Sequence, residues 1–426
     1  MTVTTAVVVL PRRVAVWASR RAVARTSVTG IELACALCAA VWFSAGTPLS
    51  ALAGGVALGG GYLAGRVGGQ LAVGAFEGWL AGLCALAGEL AVYAGLAAAA
   101  APGQPRVWAL ASAAAILLGM RKVARQCRPA RPVAPARPVG PAQPEPAPAP
   151  ERPGPGRTLA VLAARLPRLA AGERAAVITV TAAFYGTRMA LIVLIWWGSV
   201  ALAWAIAGPR LGSGWTHAAG TPADGVAGPP RRADIAAARD DGPLARFAGS
   251  LVRGQLVPLP PAVAGLTATV LLTTLGLHGL AGLVLLTPVA AMLLAAPGSA
   301  HPHDGPLDWL TPLVIQAGQY IYLAALGFAK GVPGPLVFAL TGMIALRQLD
   351  AAYRARHPLP GGEPRGGIGW EGRMLAAGVG TMLGVGTLSY LALTVYLLWL
   401  LGSGSLASWL AVRSRRGGVH RPSLGS

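Results

Sequence analysis

The stretch FEGWLAGLCALAGELAVYAGLAAAA, residues 76–100, holds two charged residues in twenty-five and no proline. A helix of ~20 apolar residues matches the hydrocarbon thickness of a bilayer, and a run this long and this apolar has few other places to go. Comparable runs recur near 28–47, 50–66, 105–121, 174–187, 189–207, 260–278, 280–297, 308–329, 333–350, 373–388 and 389–404. Backbone groups inside a bilayer must be satisfied within the chain, which leaves helices or closed barrels. Uniform apolar runs without strict alternation favour helices. The expectation is an all-α polytopic membrane protein of about twelve transmembrane helices.

Charge distribution agrees. Only 12% of the 426 residues are charged, against about 25% in soluble domains, while 54% are hydrophobic and the net charge is +20. Almost all the positive charge is arginine, with Lys122 and Lys330 the only lysines. The arginines gather between apolar runs, at Arg66, Arg121–Arg128, Arg231–Arg253, Arg354/Arg356 and Arg413–Arg416. The positive-inside rule then puts both termini in the cytoplasm of a multi-pass plasma-membrane protein facing anionic lipids. No basic, aromatic-interleaved module argues for nucleic acid.

Residues 1–26 interleave five arginines with Val14, Trp17 and Val23, a pattern for a basic surface helix before the first span rather than a cleaved signal. Cys35-x-x-Cys38 lies in an apolar run without a second pair, so packing is its expected role. The glycine-rich stretch 54–65 also sits within an apolar run and reads as close helix packing.

The segmentation follows. Residues 1–127 hold the surface helix and four spans; 128–157 form a Pro/Ala-rich spacer favouring extended polyproline II. An amphipathic helix and two spans fill 158–210, and a polar loop 211–257. Six spans occupy 258–412, and a basic tail 413–426. Within this order WLAGLCALAGELAVYAGL from Trp79 and WLTPLVIQAGQYIYLAALG from Trp309 share Trp-Leu, Ala-Gly, Ala and Leu at equal offsets, and the register continues to Pro105/Pro335 and Val107/Val337. Upstream, Val28-Thr29-Gly30 pairs with Val263-Ala264-Gly265. Downstream, Glu173-Arg174 with Gly186-Thr187 pairs with Gly372-Arg373 and Gly386-Thr387. Two parallel six-helix repeats are expected, since an even number of spans returns each half to the same orientation.

Residues Gly69-Gln70-Leu71-Ala72, Trp79-Leu80, Glu89 and Tyr93-Ala94-Gly95-Leu96 resemble the CDP-alcohol phosphatidyltransferase family. That family carries D-x-x-D-G-x-x-A-R-x8-G-x-x-x-D-x-x-x-D across its second and third spans, and its aspartates hold the divalent metals that bind the CDP pyrophosphate. Here the first two aspartate positions fall on Gly65 and Gly68, the arginine on Val73, and the last two aspartates on Ala81 and Ala85; about five spacer residues are also missing. The resemblance therefore implies a catalytically degenerate relative that binds a lipid or assists an active membrane transferase, without a cofactor.

In the second half, His301-x-x-Asp304-Gly305 keeps one aspartate, with Asp308 nearby and Thr311 and Ile315 at the later positions. Three readings of SAHPHDGPLDWL (299–310) stay open: a polar turn with Asp304 or Asp308 capping the next helix, a residual metal or phosphate site, or a pH-sensitive or partner contact. The second defines an alternative, an active Mg- or Mn-dependent phosphotransferase using His301, Asp304 and Asp308. A parallel-repeat transporter ranks lower, because charges lie mainly at span ends. Asp241-Gly-Pro-Leu-Ala-Arg246 matches D-G-x-x-A-R but nothing more of the motif, and reads as chance in a polar loop. The segment from about 172 onward also resembles a membrane domain of unknown function in high-GC bacteria that follows intact CDP-alcohol transferase modules. GERAAVITVTAAF, DDGPLAR, HPHDGPLDWL and WEGR carry that likeness.

Overall fold

The computed structural model describes residues 25–71, 74–100, 104–127, 171–211, 238–252, 257–276, 282–300, 307–361 and 367–418. Within them the chain is helical, with no β-strand. The first six helices are α1 (Arg25–Ser44), α2 (Pro48–Gly68), α3 (Ala75–Ala99), α4 (Pro105–Cys127), α5 (Ala171–Tyr185) and α6 (Thr187–Leu211). A short helix, α7 (Pro243–Val252), precedes α8 (Leu259–Gly276). Residues 282–300 follow as a 3-10 turn, the short helix α9 (Thr287–Met292) and a second 3-10 stretch. The chain closes with α10 (Thr311–Ala329), α11 (Gly334–Arg356), α12 (Gly369–Met382) and α13 (Gly386–Gly418).

Seven helices among the described residues are long and apolar enough to cross a membrane: Arg25–Ser44, Ala75–Ala99, Pro105–Cys127, Thr187–Ala207, Asp308–Ala329, Gly334–Arg356 and Gly386–Ser414. Their outward faces expose side chains such as Val41, Trp196, Leu398 and Trp399, which water would penalise and hydrocarbon accepts. The protein is an all-α membrane protein.

Local chemistry sets where helices stop. Thr47 and Ser50 form a reciprocal capping box at the start of α2, after Gly46 turns the chain at φ +70°. Gly186, at φ +86°, is the single residue between α5 and α6; a side chain there would be strained. Two expected spans are broken or cut short, and an expected loop holds a helix. The run at 280–297 is broken into 3-10 and α pieces around Pro288 and Pro297. The run at 373–388 ends at Met382, where Gly384 turns at φ +77°. It leaves a helix of 14 residues, about 21 Å long and shorter than a ~30 Å hydrocarbon core. The polar stretch 211–257 contains α7 within what reads as loop.

Packing partners recur along the chain. In the first half α1 packs on α2 and α3, α2 on α5, α3 on α4, α4 on α6, and α5 on α6. In the second half α8 packs on α9 and α10, residues 282–286 on α12, α10 on α11, α11 on α13, and α12 on α13. Between the halves, α4 lies along α11, α3 touches α11, and α10 touches α4. Small residues let α4 and α11 approach: a Cβ on Gly119 would sit 2.8 Å from the Ala345 methyl.

A buried polar hub joins the halves. Asp350 of α11, 1% exposed, accepts from Trp79 Nε1 of α3 at 2.8 Å and pairs with Arg347 at 2.8 Å and Arg354 at 2.6 Å. Arg354 also donates to Ser408 Oγ at 3.0 Å and stacks over the Trp79 ring at 4.9 Å. The tyrosine hydroxyl of Tyr353 reaches back to the Ala75 carbonyl at 3.0 Å.

Candidate functional site

A cavity of about 300 Å³ lies among α1–α5, at the end of the bundle where Arg66 and Arg125 sit. Helical spacing builds it. Glu89 projects from the middle of α3, and one turn on, Tyr93 forms its inner wall; α4 contributes Arg121, Lys122 and Arg125 in its last turns. Arg174 enters from the first turn of α5, and Glu32 from the second turn of α1. Four cations thus face two carboxylates, a net excess of positive charge.

The carboxylates are not equally shared. Glu89 accepts from Arg174, with a second contact at 3.3 Å, and pairs with Lys122 at 3.3 Å. Arg121, by contrast, is 4% exposed, its Nε finds no hydrogen-bond partner, and its guanidinium lies 4.4 Å above the Trp197 ring. Arg174 also lies over the Trp197 ring, at 5.3 Å. A cation–π contact offsets only part of the cost of burying a guanidinium. Arg121 is a buried cation at an open space; among the described residues no carboxylate forms an ion pair with it, and Glu89 acts on it only at longer range.

The positions that the family resemblance singles out border this space. A Cβ on Gly65 would lie 3.1 Å from a Glu32 carboxylate oxygen, and Ala85 lines the cavity directly. Gly68 instead packs on Val28, and Val73 lies outside the described residues. Glu89, part of the stretch that carries the family resemblance, is the central anion of the cavity.

In the second half, His301 and Asp304 lie outside the described residues. Asp308 is 3% exposed and opens the 3-10 turn Asp308–Leu310; Thr311 and Ile315 are fully buried. Leu310 holds the N-cap position of α10, and the 3-10 turn runs straight into the helix, so the aspartate is already one turn inside. Among the described residues no group of three or more His, Cys, Asp and Glu side chains is placed to hold a metal ion.

The D-G-x-x-A-R match has a structural partner that its local sequence does not reveal. Gly242 and Ala245, at the start of α7, donate their backbone N–H groups to Glu371 at 3.1 and 3.2 Å. The carboxylate therefore caps α7 from a segment 129 residues away. Burial pushes the Glu371 carboxyl above its usual range, against the lowering effect of those N–H groups. Beside it, Asp241 accepts from Trp370 Nε1 and Arg239 Nε, each at 2.8 Å, and Asp240 pairs with Arg373 at 2.7 Å. DDG and WEGR are two sides of one latch. The signal in the sequence was their joint presence in one resemblance, without a spacing rule to connect them.

The latch depends on backbone approach. Gly369 has φ +67°, and a Cβ on it would overlap the Gly242 amide. Gly369→Ala is expected to lower stability by about 3 kcal/mol or more, from strain plus loss of the Glu371 cap. Thermal unfolding in detergent, followed by tryptophan fluorescence, measures this; an unchanged midpoint refutes the latch.

Residues 231–420 match a family of unknown function (DUF5941), a stretch that includes both DDGPLAR and WEGR. It falls within the segment whose sequence resembles a membrane domain of unknown function. No curated protein and no solved structure matches the chain.

Proposed function

We propose that this is a catalytically degenerate, CDP-alcohol-transferase-like membrane protein of the plasma membrane that binds an anionic, phosphate-bearing lipid, alone or in support of an active transferase. The observation that carries the reading is Arg121, a buried guanidinium at the cavity that no described carboxylate pairs with directly, in a site of net positive charge. A phosphate ester supplies a direct anionic partner, and arginine geometry suits it. Apolar walls from Leu58, Val92 and Ile178 suit the adjoining glycerol and acyl carbons. The recognition needs no metal, because fixed cations take the place of the family's aspartate-bound ions.

The reading includes two parallel six-helix repeats with both termini cytoplasmic. Six helix–helix pairings in the first half have counterparts in the second, and the contacts across the interface are reciprocal. A side-chain pair supports the same register. Glu89 aligns with Gln319 and Arg174 with Arg373; Arg174 bonds Glu89, and Arg373 donates to Gln319 at 3.3 Å.

Titration calorimetry of the detergent-purified chain with dihexanoyl phosphatidic acid tests the binding. Saturable binding that persists in a chelator is expected. Arg121→Ala should weaken it about 10- to 100-fold, the worth of a hydrogen bond to a charged group. No binding by the folded protein overturns the proposal. Parallel titrations with CDP and Mg²⁺ or Mn²⁺ distinguish the active-transferase alternative: metal-dependent binding lost in Asp304→Ala would establish it.

A further inference from the structure

The register that aligns the halves also says what became of the second cavity. Glu89, Arg121, Lys122 and Arg125 correspond to Gln319, Ala351, Ala352 and Ala355, and Glu32 to Thr267. Of the first cavity's charges only Arg174 has a charged counterpart, Arg373. The space itself is packed. Ile315, Leu323, Met292, Met374 and Tyr322 are fully buried, and Met292 fills the notch at Gly318, the counterpart of Gly88. One buried arginine is left, 2% exposed.

Its anion comes from within the chain. Asp240 pairs with Arg373 at 2.7 Å, and it is the only non-glycine residue with positive φ among the described residues, at 54°. Such a conformation costs about 1 kcal/mol or more and persists where the surroundings impose it. The surroundings here are the latch: the Asp240 carbonyl accepts from Trp370 N at 3.2 Å, and Asp241 is held by Trp370 and Arg239.

We infer that Asp240 is a built-in anion that takes over, in the second half, the role Glu89 has in the first, pairing with Arg373 as Glu89 pairs with Arg174, so that the chain holds one lipid site and one plugged copy of it. This rests on the reading of the first cavity as an anionic-lipid site.

Two measurements on the full chain test it. The calorimetric stoichiometry for dihexanoyl phosphatidic acid should be one per chain; two equivalents overturn the inference. Zero equivalents sinks the lipid-site reading itself, a separate result from the second measurement. Asp240→Ala should lower the melting temperature, and formate, a carboxylate small enough to enter the vacated space, should raise it again by about 2–4 °C, with no effect on the wild type. Arg373→Met added to Asp240→Ala should abolish the formate response. Asp240→Gly, which also vacates the space and suits the positive φ of this position, provides the same formate test where the alanine variant fails to fold. A folded Asp240 variant that ignores formate overturns the inference.

Discussion

Asp350→Ala is expected to be the most destabilising single substitution in the chain. It removes the one carboxylate that pairs with both Arg347 and Arg354 and accepts from Trp79 Nε1. The Asp350 side chain is 2% exposed and that of Arg354 3%, so water cannot take over. Breaking a buried pair from one side costs about 3–5 kcal/mol, because the remaining charge is left uncompensated. Arg354 would keep Ser408 and the Trp79 ring, which are neutral and offset part of the loss. The hub lies where α3 and α11 meet, so the halves should also lose their fixed relation. Thermal unfolding in detergent gives the stability; the rate of trypsin cleavage in the native state reports the interface. A change below about 1 kcal/mol would show that the hub adds little beyond helix packing.

Glu89→Gln carries the second large effect, with opposite signs in two assays. Glu89 neutralises Arg174 and Lys122 in the empty cavity. Without its charge, the ligand-free protein should lose about 2–4 kcal/mol, since those cations then repel one another at partial burial. The same loss makes the cavity more positive, so an anionic lipid should bind about 10-fold more tightly and restore much of the stability. A purely structural ion pair predicts otherwise: stability falls and the lipid neither binds better nor rescues. Melting temperature and affinity for dihexanoyl phosphatidic acid, measured on one preparation, separate the two. Affinity that falls with stability would remove Glu89 from the site.

Both predictions turn on charges in apolar runs, and they mark the limit of what the sequence discloses. Glu89 stands out in its run because few other charges accompany it, so its placement between helices is legible. Asp350, Arg347 and Arg354 look like residues at the basic end of a span, and nothing local distinguishes them from solvated charges. Their burial follows from α3 and α13 closing over that end of α11. Glu371 is harder still. A helix cap is normally sought within three residues of the helix start, whereas this one arrives through tertiary packing. SAHPHDGPLDWL drew notice for its density of histidine and aspartate, yet the charge-rich cavity assembles in the other half of the molecule, from five helices.

The sequence by itself determined that the chain is helical and belongs to a membrane, because length and apolarity of a run are local properties and the bilayer imposes one thickness on all of them. The proposed register of Trp79 with Trp309 also has a local basis, since residues at equal offsets occupy equal places on a helix. Which charges meet was decided only by the tertiary structure. Arg174 reaches Glu89 across 85 positions, and Asp241 meets Trp370 across 129. A buried ion pair is fixed by where two helices cross, and crossing depends on the summed packing of small residues such as Gly119 against Ala345. No window of sequence contains that sum.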